Sequence, residues 1–250
     1  MKKSLLVILF LLGLSIGFAF HRSSVSSQNA TWKAKPKRGD ATHALVVTGG
    51  HDHDADFYSL FDDDGIRAVV DPHPAALGGG IRNRADALAL YDMIKEMSER
   101  QVNNLRDFVE HRKGLVVLHH AICDNVSLPW WYEEVVGGRY LFEPVNGRAS
   151  SYSHDEDQLV TPVGDHPITR GLKPFRIHDE TYKGLWISPQ VNVILKSDNP
   201  TSDGPVAWIS PYEKSRVVYI QLGHDRHANL NPHYQRLVRN AIFRAAGRLQ

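Results

Sequence analysis

Three polar clusters hold most of the chemistry this chain could perform: Gly49-Gly50-His51-Asp52-His53-Asp54, His119-His120-Ala121 and Gly223-His224-Asp225-Arg226-His227. Histidine dominates them, and the chain carries 14 His against 28 Asp and Glu. Imidazole is the side chain best suited to proton transfer near neutrality and to metal ligation. His224 followed by Asp225 has the form of a base with a carboxylate that fixes its tautomer. His119 directly follows an apolar run, where a strand-to-helix turn lifts a side chain over a sheet edge. That position holds the nucleophile in α/β hydrolases, but an imidazole there is a general base, oxyanion partner or metal ligand. His120, one step on, is expected to face the opposite way. A hydrogen-bonded core histidine is the alternative at 119.

The segment His178-Asp179-Glu180-Thr181-Tyr182 adds two carboxylates and a phenol, enough for an acid, a base and a hydroxyl partner. A surface loop would have the same composition. Gly49 and Gly50 let a ligand approach closely, and a helix beginning there would aim N–H groups at an anionic or hydroxyl-rich group. His51, His120, His178 and Tyr182 complete the expected substrate-binding set. A divalent metal such as zinc is compatible with His119, His178, His224 and a carboxylate, although no tight zinc-ligand spacing occurs and no cofactor is required. Cys123 reads as a small buried hydrophobe more than as a nucleophile. Trp130, Trp131, Tyr132, Trp186 and Trp208 offer stacking faces for a sugar ring or ordinary core.

The elements that must carry these groups alternate. Strands are expected over 43–48, 66–70, 85–91 and 115–118, the last continuously apolar as a strand covered on both faces should be. Ser98-Glu99-Arg100-Gln101 is a capping box for a helix with Val102, Leu105, Phe108 and Val109 on one face and Gly114 closing it. Residues 129–136 read as a short helix and 140–200 as shorter strands and turns. The runs 206–209 and 217–222 flank a turn at 211–215. Asn231 and Pro232 open a final helix whose buried face is Tyr234, Leu237, Val238, Ala241, Ile242 and Ala245. Strand-helix-strand repetition argues for a parallel α/β sheet with its ligand crevice outside the carboxyl strand ends.

Composition narrows the function classes. Lys and Arg total 29 against 28 Asp and Glu, so no net field favours nucleic acid. One cysteine excludes an intrachain disulfide. Met1-Lys2-Lys3 and the apolar run Leu5 to Phe20 resemble a secretory signal, either cleaved or kept as an anchor. The expected organisation is a signal peptide or anchor over 1–24, a linker over 25–41 and one domain over 42–250. The chain is then exported, periplasmic or secreted, and touches a membrane only through its first segment. A homo-oligomer is compatible with this composition.

Several ordered motifs carry a resemblance: Val47-Thr48-Gly49-Gly50-His51, Gly114 to His119, His166-Pro167-Ile168-Thr169-Arg170-Gly171-Leu172, His178 to Tyr182 and Gly223-His224-Asp225. Together they resemble the ThuA-like (trehalose utilisation) family over about residues 43–247. The resemblance implies the class I glutamine amidotransferase-like fold, a flavodoxin-like three-layer sandwich with a mainly parallel sheet. In amidotransferases the nucleophile turn carries Cys, whereas here it reads Leu118-His119-His120-Ala121, so glutamine hydrolysis is not expected. The resemblance implies carbohydrate metabolism, with a small sugar, such as a disaccharide or glucoside and its 3-keto form, as ligand. On that reading His119 and His224 move protons, Glu180 is the partner acid or base and Asp225 orients His224. The alternative is a non-catalytic carbohydrate-binding or scaffold protein with a degenerate cleft. Glycoside hydrolysis would need a second carboxylate beside Glu180, from Asp52 or Asp225.

Overall fold

The computed structural model describes residues 41–250. The expected signal segment 1–24 and, apart from Ala41, the linker 25–41 lie outside the described residues. No helix of the described residues is long and apolar enough to cross a membrane.

β1 (Thr42–Gly49), β2 (Ile66–Pro72), β3 (Ala87–Asp92) and β4 (Gly114–Leu118) follow the apolar runs of the sequence. Every residue of β3 and β4 is buried, which explains why neither alternates polar with apolar. Between them α1 (Glu99–Glu110) opens on the expected capping box: Gln101 N donates to Ser98 Oγ at 3.4 Å and Ser98 N donates to Gln101 Oε1 at 2.9 Å. The helix buries Leu105, Phe108 and Val109, while Val102 stays half-buried. Gly114 does not close it. The helix stops at Glu110, and a Cβ on Gly114 would sit 2.2 Å from the Ala245 carbonyl oxygen, so this glycine lets β4 pack against the last helix.

The expected short helix is a π-helical turn, Trp130–Val136, ended by Gly137 at φ +74. β5 (Gly138–Arg139) pairs with β8 (Trp186–Ile187) as a separate two-stranded sheet. The stretch expected to hold only shorter strands contains β6 (Ser151–Pro162, 12 residues) and β7 (Phe175–Lys183, 9 residues). β6 is polar because few of its residues are buried, whereas β7 buries the polar residues Asp179, Glu180 and Thr181. β10 (Pro205–Ile209) and β11 (Val217–Ile220) flank the expected turn as an antiparallel pair, with β9 (Asn192–Ser197) antiparallel to β10, and α2 (Arg226–Asn229) and α3 (Pro232–Ala245) follow. Asn231 caps α3 by accepting from His233 N and Tyr234 N, and the six apolar residues expected on its inner face are all buried.

The nine-stranded sheet runs β2-β1-β3-β4-β11-β10-β9-β6-β7. The pairs β2·β1, β1·β3, β3·β4 and β4·β11 are parallel, which is the flavodoxin-like order. The remaining pairs are antiparallel, so parallel pairing is confined to one half. Alternate residues serve two cores. Val46, Val116 and Val218 face α3 and the 3-10 turn Ala55–Phe61, while Leu45, Val117 and Tyr219 face α1 and Trp130–Val136. The result is a three-layer α/β sandwich.

One departure from a flat sheet matters for function. Only Val160–Pro162 of β6 pairs with β9, so most of β6 and β7 is a two-stranded ribbon that projects beyond the sheet. A bulge between Ser153 and Glu156, with Asp155 at φ +57, bends it.

Candidate active site

β4 ends at Leu118, and the chain turns at once into a 3-10 helix, His119–Cys123. His119 takes the turn at φ +48, a left-handed conformation rare outside glycine, and this aims its ring across the carboxyl ends of the sheet. The ring is buried, and its Nδ1 lies 2.6 Å from the Gln221 carbonyl oxygen. A carbonyl only accepts, so Nδ1 carries the proton and a neutral imidazole presents its lone pair at Nε2. Burial, with His120 beside it, lowers the pKa of His119 well below the usual range, so the ring is neutral. Nε2 faces Tyr182 Oη at 3.2 Å and His224 Nδ1 at 3.2 Å.

The bent ribbon brings Glu180 and Tyr182 to the same point. Glu180 Oε1 stands 3.8 Å from His119 Nε2, while Oε2 stands 3.3 Å from His224 Nδ1 and 2.9 Å from His154 Nδ1. Burial pushes Glu180 up to about 7, against the pull of its hydrogen bond with Tyr182. His154, on β6, is half-exposed, and its ring packs 4.8 Å from that of His224. It is a site residue that sequence reasoning missed. The signal was present: Tyr152 and His154 stand two apart in a strand and so share one face.

Asp225 does not orient His224. Its carboxylate accepts from His227 N at 2.8 Å and contacts His227 Nδ1 at 2.9 Å, capping α2. Asp179 positions His224 instead. Its Oδ1 accepts both Glu180 N and His224 N at 2.9 Å, and its Oδ2 accepts Gly223 N at 2.8 Å. Burial pushes Asp179 up to about 7 while these three N–H groups pull it down. One carboxyl therefore locks the ribbon to the loop after β11.

His119, His154, Glu180 and Tyr182 line a cavity of about 360 Å³ together with Tyr140, Phe142 and Tyr152. That volume lies in the range of small-molecule sites. Among the described residues lining it none is Lys or Arg, and Glu180 is the only carboxylate. Asp52 is exposed on a neighbouring groove and Asp225 is tied to His227, so neither pairs with Glu180 as glycoside hydrolysis would require.

The remaining expected residues divide. His51 lines the cavity, and its ring stacks on His120 at 4.5 Å. His120 does turn away from His119, with Nε2 3.3 Å from the Tyr91 carbonyl oxygen, and burial lowers its pKa to about 3. Gly49 and Gly50 lie outside the cavity, on the neighbouring groove. No helix starts at them: residues 51–54 intervene before the turn capped by Asp54. Gly50, at φ +75, is required because a Cβ would meet the Met93 carbonyl oxygen at 2.3 Å. His178 is also outside, beside Asp157 at 3.0 Å and packed on His227. Trp131 and Trp208 are core, Trp208 donating to the Val136 carbonyl oxygen, so tyrosines and a phenylalanine form the aromatic wall instead. Cys123 is buried at the cavity, where burial raises its pKa and keeps it a thiol.

The family model of ThuA, trehalose utilisation, matches residues 44–245. The chain belongs to the ThuA family. Membership implies a role in trehalose utilisation and carbohydrate metabolism. Among solved structures, a ThuA-like protein from Parabacteroides merdae superposes with a TM-score of 0.66 at 17% identity, covering 84% of this chain and 92% of that one. A ThuA-like protein from Bacteroides uniformis gives 0.64 at 18% identity, covering 86% and 95%. PurLQS from Thermotoga maritima gives 0.55 at 15% identity, covering 82% and 98%, consistent with the amidotransferase-like fold. Comparison with curated proteins gave no match. In this ThuA-family chain the elbow position holds His119, and the thiol nearest to it is the buried Cys123.

Proposed function

We propose that this ThuA-family chain is a sugar-active enzyme that moves a proton next to the carbonyl of an uncharged keto-sugar. The observation that carries the reading is the Glu180–His154 pair at 2.9 Å, 3.8 Å from the His119 lone pair, in a cavity lined by Tyr140, Phe142 and Tyr152. A carbonyl acidifies the neighbouring C–H, so the reaction needs a base and a stabiliser for the developing oxyanion. The Glu180–His154 pair takes the proton and passes it to solvent through the half-exposed His154. Tyr182 Oη, 3.2 Å from His119 Nε2, supplies a donor beside the point where the oxyanion would form. The absence of Lys and Arg from the described lining favours an uncharged sugar, such as a 3-keto-disaccharide or glucoside, over a phosphorylated one. The charged start and apolar run of residues 1–20 support an exported setting.

Incubating the protein with 3-keto-trehalose and 3-keto-glucosides in heavy water tests this, with mass spectrometry scoring deuterium uptake and new products. Uptake or turnover is expected. Saturable sugar binding with no exchange on any of them would overturn the reading in favour of a carbohydrate-binding protein.

A further inference from the structure

His119, Glu180 and His224 come from three separate elements, yet one ligand atom of each lies within 4.8 Å of the other two. Two sides of this triangle measure 3.2 Å, from His119 Nε2 to His224 Nδ1, and 3.3 Å, from His224 Nδ1 to Glu180 Oε2. The closest approach of Glu180 to His119, through Oε1, is 3.8 Å. Nitrogen and oxygen ligands about 2.0–2.1 Å from a zinc-sized ion stand about 3.3–3.4 Å apart in a tetrahedron. The side chains therefore need little movement to enclose an ion.

Their outer contacts are those of a metal site. His119 donates its other ring N–H to the Gln221 carbonyl oxygen, fixing the tautomer that leaves Nε2 free to ligate. His154 holds Glu180 Oε2 at 2.9 Å and so orients the carboxylate. Asp179 Oδ1 accepts the backbone N–H of both Glu180 and His224, so two of the three ligands are set by one atom. His119 and Glu180 line the cavity and His224 stands 3.3 Å from Glu180, which leaves further coordination positions for water or a substrate oxygen.

We infer that His119 Nε2, His224 Nδ1 and a Glu180 carboxylate oxygen bind one divalent first-row transition ion beside the cavity. Binding itself stands on the geometry, and its use in catalysis rests on the function proposed above. The ion would polarise the keto oxygen, Glu180 would serve as a ligand, and the transferred proton would reside on His154.

The test uses the untagged full chain, stripped with a chelator and titrated with Co²⁺ by calorimetry and visible absorption. One Co²⁺ per chain is expected, with the d–d bands of a low-coordinate complex, displaced by Zn²⁺. His224→Gln, at a half-buried position, and Glu180→Gln should each weaken binding at least tenfold, and His178→Ala should leave it unchanged. No saturable Co²⁺ binding, or unchanged binding in both His224→Gln and Glu180→Gln, overturns the site. Stoichiometric binding without deuterium exchange upholds the site while defeating the proposed reaction. Full exchange by stripped protein in chelator upholds the reaction and overturns the use of the ion in it.

Discussion

The two halves of the sheet supply the site in different ways. β4 and β11 lead into His119 and His224 just past the ends of buried parallel strands, where the backbone is fixed by neighbours on both sides. The ribbon β6–β7 supplies His154, Glu180 and Tyr182 from positions along its strands and is paired to the sheet through only three residues of β6. Strand ends place a side chain by topology, whereas a projecting ribbon needs a separate anchor. Asp179 is that anchor, and its three N–H partners span the gap between the halves.

The largest test of this division is Glu180→Gln, which keeps the shape of the ribbon and removes its ionisable group. Exchange or turnover should fall about a thousandfold with unchanged circular dichroism. If the ribbon is only a wall, the rate will hold. Asp179→Asn attacks the anchor: a loss of about 10–100-fold in rate is expected. It should come with about 1–3 kcal/mol of destabilisation in urea, because buried N–H groups lose an acceptor.

The parallel half has its own carboxyl contact. Asp92, at the end of β3, and Asp124, after the 3-10 turn, are fully buried neighbours, and burial raises both above the usual carboxylate range. From that range upward the folded chain keeps a proton that the unfolded chain releases, so stability should fall as pH rises. Asp124→Asn should flatten this slope and stabilise the chain at pH 8 relative to pH 5, measured by urea unfolding at both. A slope equal to that of the unaltered chain would assign the pH dependence elsewhere. The smallest effect belongs to His178→Ala and Asp225→Ala, whose side chains lie outside the cavity. Rates should stay within about twofold, and a larger loss at Asp225 would restore it as the partner of His224.

The same contrast decides what could be read from the residues. Buried parallel strands announce themselves as unbroken apolar runs, and polar groups just past their ends stand out, so β1, β3, β4, His119 and His224 were legible. α3 was legible from its cap and period. The ribbon was not, because Ser151–Pro162 leaves the core and follows neither a buried nor a half-buried strand pattern, and His154 was lost with it. Asp225 misled because it neighbours His224 in sequence, while Asp179, 45 residues away, neighbours it in space. Glu180 and Tyr182 were found through their chemistry alone.

The turn at His119 has one further consequence. A side chain in the left-handed region costs about 1–2 kcal/mol, least for Asn and Asp and most for β-branched residues, so the turn itself does not demand an imidazole. The scaffold bears that cost for holding a reagent at this spot and leaves the reagent open. In the amidotransferases that this fold resembles, the reagent is a thiol; here it is an imidazole. Such a socket accepts a thiol or an imidazole with the sheet beneath it unchanged.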